Sequence, residues 1–270
     1  MEVNNLKNYE SIFENQGYHG VYINLAAIGD VSILINTLKL FPKFDDIEDL
    51  EQYFIETNPF HYSTRASRGR HFRSIKKLLL KSYNEKHENL LTLVSDAEFN
   101  QSLYKLILYL QVGLNSKLFR EITLEVFAQM KRQGALKLTK HTINNHILEN
   151  VPEAKEWSES TVERLGTRYL SLMYMFGFIE GDDRQKIAIY SPSARQLAYA
   201  VYLDQCITDN PFINYEGPVF QLLFLNDYES FVNRLKDLSL DGFFDLEVAG
   251  GDIKVQSLLE VDQLVDKLGE

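Results

Sequence analysis

The chain has 270 residues, of which 45% are hydrophobic, and its formal net charge at neutral pH is -10. This length and apolar content suffice for one large domain or two to three small ones. The single cysteine, Cys206, excludes an internal disulfide and a thiolate metal cluster. Because the apolar runs are shorter than the ~20 residues of a membrane span and the first residues lack a secretory signal pattern, we expect a cytoplasmic protein that contacts no membrane.

Apolar residues recur at spacings of three and four through most of the chain, which predicts a mainly α fold. Residues 1–134 form the predicted N-terminal helical domain. Its helices are expected at Val31–Leu40, Ile47–Glu56, Arg65–Ser82, Asn100–Gln111 and Lys117–Arg132.

In residues 135–192 the sequence pattern changes from helices alone to helices combined with short strand-like stretches. A short strand at Leu136–Leu138 precedes helices at Lys140–Asn150 and Ser160–Phe176, and a hairpin with a Gly-Asp-Asp turn follows. Ser160 and Glu163 fit a capping box at the start of the second helix. Strand, helix, turn, helix and hairpin in this order predict a winged-helix-like segment. Residues 193–270 are predicted as helices and one further β-hairpin, around Ala249-Gly250-Gly251.

A basic segment without aspartate or glutamate lies between Thr57 and Asn84, and its charge of +7 leaves -17 for the rest of the chain. On a helical wheel, four of its cations share a face opposite Phe72, Ile75 and Leu79. A row of cations at this spacing can follow the phosphates of a nucleic-acid backbone. The residues predicted to bind DNA here are Arg65, Arg68, Arg70, Arg73, Lys77 and Lys81, with Arg70, Arg73, Lys77 and Lys81 as the shared face.

The preceding stretch offers an alternative, because Asp45 to Glu56 is rich in carboxylates and could face the basic helix. Intramolecular ion pairs would then occupy much of the positive charge, each contributing only ~0.2–1 kcal/mol where it is exposed. The sequence leaves both arrangements open.

The second helix of the winged-helix-like segment has a small, hydroxylic and cationic outward face. Arg164, Thr167 and Arg168 lie on it, and residues of these types contact bases and phosphates when a helix enters a major groove. Arg184 and Lys186 at the hairpin tip could contact the backbone, although Asp182 and Asp183 beside them would repel it. We add these five cationic and hydroxylic residues to the predicted DNA-binding set.

The order of these elements resembles the BrxA family of BREX phage-defence systems. The resemblance runs from about Gly29 to Ser191 and includes the stretches "FIETNPFHYSTRASRGRHFRSIKKLLL", "YLQVGLNSKLFREITLEVF" and "WSESTVERLGTRYLSLMYMFGFIE". It implies a non-catalytic protein that binds double-stranded DNA and acts beside other BREX proteins, such as a methyltransferase and large ATPases.

The sequence is also compatible with two other classes of function, a nuclease and a protein-interaction subunit. No glycine-rich nucleotide motif is present, so no cofactor is predicted. Asp245, Glu247, Asp252 and Lys254 have the spacing of a Mg²⁺-dependent nuclease, but a hairpin around Gly250-Gly251 accounts for the same residues. The basic helix could instead contact an acidic protein, with aromatic residues as anchors, in a protein-interaction subunit.

Overall fold

The computed structural model describes residues 30–225 and 227–270, together with Phe13, Gln16, Tyr18, Ala26 and Ile28. Helices make up most of the described chain and the strands are short, so the predicted mainly α fold is confirmed. Among the described residues, no helix combines the length and the apolar character that a membrane crossing requires.

The helices, in chain order, are α1 (Val31–Leu40), α2 (Ile47–Thr57), α3 (Arg65–Leu78), α4 (Glu85–Asp96), α5 (Gln101–Asn115), α6 (Lys117–Glu121), α7 (Ala128–Arg132), α8 (Lys140–Asn150), α9 (Glu159–Phe176), α10 (Ala194–Thr208), α11 (Pro218–Gln221), α12 (Tyr228–Leu240) and α13 (Val261–Gly269). Short 3₁₀ turns occupy Phe41–Lys43 and Pro152–Glu156, and a π-helical stretch, Ile122–Phe127, joins α6 to α7. The strands are β1 (Ile179–Glu180), β2 (Lys186–Ile187), β3 (Phe212–Ile213), β4 (Phe244–Ala249) and β5 (Asp252–Ser257).

The chain forms two compact units of opposite net charge. The basic unit comprises residues 30–81 and 104–190, with 21 lysines and arginines against 17 aspartates and glutamates, a formal charge of +4. The acidic unit includes residues 82–103 and 191–270, and these two stretches have 6 lysines and arginines against 18 aspartates and glutamates, a formal charge of -12. Every residue predicted to bind DNA belongs to the basic unit.

Within the continuously described parts of the chain, each unit combines stretches that are far apart in sequence. The consecutive segments 1–134, 135–192 and 193–270 stay a prediction. The stretch 82–103 belongs to the acidic unit through long-range hydrogen bonds. The Asn84 side-chain amide donates to the carbonyl oxygens of Cys206 at 2.8 Å and Ile207 at 3.3 Å, and the Gln196 amide donates to the Ser102 carbonyl at 3.0 Å. These contacts join α4 and the start of α5 to α10. Helix α4 itself was absent from the sequence prediction.

The basic helix is shorter than predicted: α3 ends at Leu78, not at Ser82. Leu78, Leu79 and Leu80 are all buried where the helix ends. The Asn115 amide donates to the carbonyl oxygens of Leu78 at 3.1 Å and Lys81 at 3.4 Å, which satisfies acceptors at the helix end. Lys81 therefore lies beyond the helix.

An aromatic cluster forms the centre of the basic unit. The Tyr109 ring contacts Phe119 at 5.9 Å, Phe176 at 5.8 Å and Phe178 at 4.3 Å between ring centroids, so α5, α6 and α9 meet around it. The Tyr169 hydroxyl is 3.0 Å from the Thr123 hydroxyl of the π-helical stretch. Burial raises the pKa of Tyr169 well above its usual range, so the hydroxyl stays neutral.

Residues 136–138 and the hairpin β1–β2 form a small antiparallel arrangement beside α8 and α9. Lys137 pairs with Lys186, and β2 pairs with β1 on its other side, so the chain segment before α8 lies next to the second hairpin strand. The Ile187 N–H donates to the Leu136 carbonyl at 2.9 Å, and the Leu138 N–H donates to the Gln185 carbonyl at 2.8 Å. The strand predicted at Leu136–Leu138 is only an isolated bridge at Lys137, whereas α8, α9 and the hairpin follow it in the predicted order.

The acidic unit contains an antiparallel sheet in the order β3-β5-β4. Gly250 and Gly251, with φ of 58° and 92°, make the two-residue turn between β4 and β5 that the sequence predicted. The inner face of the sheet is buried through Phe244, Ile253 and Val255. Its outer face carries Asp245 and Glu247.

Candidate nucleic-acid interface

The basic helix exposes a short cationic ridge, defined here as Arg70, Arg73 and Lys77. The three residues follow one another at spacings of three and four along α3, and all three are exposed. Phe72 and Ile75 on the opposite face are fully buried. The Thr64 hydroxyl accepts a hydrogen bond from the Ser67 N–H at 3.1 Å and fixes the start of the helix. The ridge is therefore held on a rigid, anchored element.

The acidic helix α2 packs against α3 but does not neutralise the ridge. A single ion pair between the two helices, from Lys76 Nζ to Glu48 Oε1 at 2.9 Å, is found among the described residues. In that part of the chain, no ion pair involves Arg70, Arg73 or Lys77. Three charges 3 to 4 residues apart thus stay available for an external anion.

Three other predicted residues of the basic segment have different surroundings. Arg68 is half-buried, and its guanidinium donates to the carbonyl oxygens of Ile55 at 2.8 Å and Tyr62 at 3.3 Å, so it connects α3 to the end of α2. Arg65 is exposed at the first turn of α3. Lys81 is exposed, but it lies after the helix and is not the fourth member of the ridge, as the helical wheel had suggested.

The outward face of α9 is a polar stripe. Arg164 and Thr167 are exposed, Arg168 is half-exposed, and Ser171 and Tyr174 continue the stripe toward the helix end. The hydroxyl groups of Thr167 and Ser171 donate to backbone carbonyl oxygens four residues earlier, at 2.9 Å and 3.0 Å. They keep acceptor capacity for an incoming group.

The start of α9 differs from the sequence prediction. Ser158, not Ser160, is the N-cap, and its hydroxyl accepts a hydrogen bond from the Thr161 N–H at 3.3 Å. Glu163 therefore lies beyond the capping position and instead forms an ion pair with Lys140 of α8 at 3.2 Å. The Lys140 ammonium group therefore partly compensates the negative charge that Glu163 places near Arg164.

The hairpin between β1 and β2 places its predicted cations in two different settings. The Arg184 guanidinium lies over the Tyr174 ring at 4.8 Å from the centroid, which joins the hairpin tip to the α9 stripe. Lys186 forms an ion pair with Glu180 at 2.6 Å. Lys137 donates to Asp183 at 2.7 Å and lowers the pKa of that carboxyl, so the repulsion expected from Asp183 is partly compensated.

Sequence reasoning missed two contributors to this surface. Tyr174 lies at the same helical spacing as Thr167 and Ser171, so its place on the stripe could have been found from the sequence. Lys137 could not, because it reaches the surface only through its pairing with the hairpin strand.

The residues of the nuclease-like pattern lie on the outer face of the acidic unit's sheet. Glu247 and Lys254 are direct cross-strand partners, and their charged groups are 3.6 Å apart. Ala249 and Asp252 close the hairpin. In the described part of the chain, no three His, Cys, Asp or Glu side chains come together as a potential metal site.

The single thiol is buried in α10. Burial raises the pKa of Cys206 to about 11, so the thiol is protonated and unreactive at neutral pH. Its pocket, lined by Lys86, Tyr202, Asp209 and Leu258 among others, has a volume of about 380 Å³. Lys86 and Asp209, which both line the pocket, form an ion pair.

These features define a mainly α-helical protein with an open cationic surface on the positively charged one of its two units. The family model described as BrxA matches residues 34–200, which is more than half of the chain, and the chain belongs to the BrxA family. This family takes part in BREX phage defence. The matched range includes the cationic ridge and the α9 stripe. No curated protein matches the chain.

Proposed function

We propose that this chain is a non-catalytic subunit of a BREX defence system that binds double-stranded DNA mainly through backbone phosphates. The cationic ridge carries the proposal: Arg70, Arg73 and Lys77 are exposed on one helical face without an ion-pair partner among the described residues. Phosphate contacts by such cations release counterions, which provides most of the free energy of binding that does not depend on sequence.

The segment 135–192 is proposed to act as a winged helix with α9 as the groove-facing helix. The order α8, α9 and hairpin, and the bridge of Lys137 with Lys186 of β2, support this role. Arg164, Thr167 and Arg168 would then approach the major groove, and Arg184 would contact the backbone from the hairpin tip. Lys186 is expected to contribute less, because its ion pair with Glu180 must be broken or shared.

Fluorescence anisotropy of a labelled 30-base-pair duplex, titrated at several salt concentrations, tests this proposal. We expect log K to fall with log salt concentration at a slope near ~0.9 for each phosphate contact. The variant with Arg70→Glu, Arg73→Glu and Lys77→Glu should reduce the slope by about three and weaken binding at least ~10²-fold at low salt.

The matched control reverses three exposed cations of the same unit that lie outside the proposed surface, with Lys43→Glu, Arg132→Glu and Lys155→Glu. Both variants have the same net charge, so a difference between them reports position and not total charge. Equal loss of affinity in the two variants, or no binding of the unmodified protein at low salt, would contradict the proposal.

Other BREX proteins are the proposed protein partners. If the ridge serves a protein partner instead of DNA, the ridge variant will lose that partner in a pull-down and keep its affinity for the duplex. A nuclease activity would appear as plasmid nicking with Mg²⁺ that Asp252→Ala abolishes. The cross-strand pairing of Glu247 with Lys254 supports a structural role for those residues, and we propose no catalysis.

A further inference from the structure

Strand β4 of the acidic unit has one edge that pairs with no other strand of the described residues, and this edge is called the open edge below. The sheet order β3-β5-β4 places β4 at one side, paired only with β5 among the described strands. The two-residue turn makes Ala249 and Asp252 a hydrogen-bonded pair, and such pairs alternate along an antiparallel ladder. The N–H and C=O groups of Phe244, Leu246 and Val248 therefore point away from β5.

The other side of β5 confirms this alternation. Val255 is opposite Leu246, and its N–H donates away from β4, to the Pro211 carbonyl at 2.8 Å. On the outer side of β4, no backbone hydrogen bond links these three residues to any described part of the chain. Phe244 is completely buried, so the outward N–H and C=O groups of Leu246 and Val248 are the donors and acceptors that one more strand can pair with.

The two faces next to this edge differ in chemistry. On the inner face, Leu246 is half-buried and Val248 is 40% exposed. On the outer face, Asp245 and Glu247 are both exposed. A strand added at this edge would place alternate side chains beside apolar residues and beside carboxylates. The edge also lacks the lysines and prolines by which many proteins block strand addition.

The charges argue against pairing with a second copy of the chain. In a symmetric antiparallel pair of β4 strands centred on Leu246, Asp245 would lie opposite Glu247 of the other copy. Like charges directly opposite each other are destabilising, and the unit's charge of -12 adds to the repulsion. Lys254 partly compensates Glu247, whereas Asp245 has no ion pair among the described residues. Asp245 and the negative charge of the unit favour an incoming strand with a positive outer face.

We propose that the open edge of β4 binds, by antiparallel strand addition, an extended segment of a partner protein in which lysine or arginine alternates with apolar residues. The apolar side chains lie beside Leu246 and Val248, and the basic side chains lie beside Asp245 and Glu247. This surface belongs to the acidic unit and is separate from the residues proposed to contact DNA, so each can be tested alone.

The test uses the full chain and a fluorescein-labelled peptide of seven residues in which Lys or Arg alternates with Val or Ile. Fluorescence anisotropy should show saturable binding with a dissociation constant of ~10–100 μM. A peptide with glutamate in place of each basic residue should bind at least ~10-fold more weakly.

Two N-methylated peptides separate strand addition from simple charge attraction without changing the protein. In antiparallel pairing, residues opposite each other share a face, so the apolar peptide residues make the hydrogen bonds to Leu246 and Val248. N-methylation of the apolar residues should abolish binding, whereas N-methylation of the basic residues should change it by less than ~2-fold.

Protein variants locate the edge. Leu246→Pro removes only an outward N–H and should weaken binding at least ~10-fold, and Asp245→Lys with Glu247→Lys should weaken it at least ~5-fold. The control Glu88→Lys changes the charge of an exposed residue of α4 in the same unit and should have an effect below ~2-fold. Absence of peptide binding at ~1 mM protein would mean a dissociation constant above the millimolar range. That result would overturn the proposal. So would equal binding of the two N-methylated peptides, or equal loss in the charge variants.

Discussion

At the scale of single residues, His87 shows how burial sets a limit on stability. The imidazole is fully buried in α4, its Nδ1 accepts a hydrogen bond from the Tyr83 N–H at 3.3 Å, and its ring stacks on Tyr83 at 5.6 Å. Burial lowers its pKa from 6.5 to about 4, because the charged form is poorly solvated inside the protein. The folded acidic unit therefore requires a neutral His87.

This gives a prediction about acid stability. Between pH 6.5 and pH 4 the unfolded chain takes up a proton at His87 and the folded chain does not. The contribution of neutral His87 to the free energy of unfolding is therefore fully present above pH 6.5 and is lost as the pH falls. The loss should reach about 3 kcal/mol at pH 4. Urea unfolding followed by circular dichroism should show a smaller decrease for His87→Gln, which cannot titrate. Parallel pH profiles of the two proteins would contradict the assignment.

At the scale of elements, two helical glycines have opposite surroundings. A Cβ atom at Gly166 of α9 would lie 2.1 Å from Asn144 Oδ1 and 3.2 Å from Lys140 Cγ, because α8 and α9 cross there at close range. When the Asn144 amide is turned over, its nitrogen takes that position and donates to the carbonyl oxygens of Val162 at 3.2 Å and Lys140 at 3.3 Å. At Gly69 of α3 the nearest atoms to an added Cβ are 3.7 Å and 3.9 Å away.

We therefore expect the same substitution to act in opposite directions. Gly69→Ala should stabilise the protein by ~0.5–1 kcal/mol, because alanine favours a helix and fits the space. Gly166→Ala should destabilise it by ~1–3 kcal/mol, because the clash displaces a buried amide from its hydrogen bonds. Thermal unfolding of the two variants measures the difference, and stabilisation by both would show that the α8–α9 contact is loosely packed.

The same elements show what the sequence could and could not predict. Periodicity was sufficient for the faces of α3 and α9, since Arg70, Arg73 and Lys77 are exposed as predicted. The end of α3 was missed because it depends on Asn115, 37 residues away from its partner Leu78. Whether the predicted residues bind DNA stays a prediction, and the structural contacts of Arg68 had no local signal at all.

At the scale of the molecule, the separation of charge into units of +4 and -12 accounts for a basic surface on an acidic protein. The division could not be read from the sequence, since residues 82–103 join a stretch that begins about 90 residues later. The acidic carboxylates are not needed to neutralise the ridge, and within the acidic unit they repel one another.

This repulsion predicts a salt effect that is confined to one unit. Raising NaCl from ~10 to ~150 mM shortens the screening length from ~30 to ~8 Å and should stabilise the acidic unit. Hydrogen exchange followed by mass spectrometry should slow several-fold in peptides from residues 82–103 and 191–270, and change less in residues 30–81 and 104–190. Equal slowing in both sets would show that the two units do not differ in self-repulsion.

Cys206, which is buried in α10, is the only cysteine of the chain, and Trp157 is its only tryptophan. Each residue can therefore serve as a probe of the unit that contains it. Trp157 follows the 3₁₀ turn Pro152–Glu156 in the basic unit, whereas Cys206 belongs to the acidic unit. Intrinsic fluorescence therefore reports the opening of one unit, and the rate of thiol labelling reports the opening of the other. The native sequence supplies two optical reporters, so the order in which the units unfold can be measured without adding a label or changing a residue.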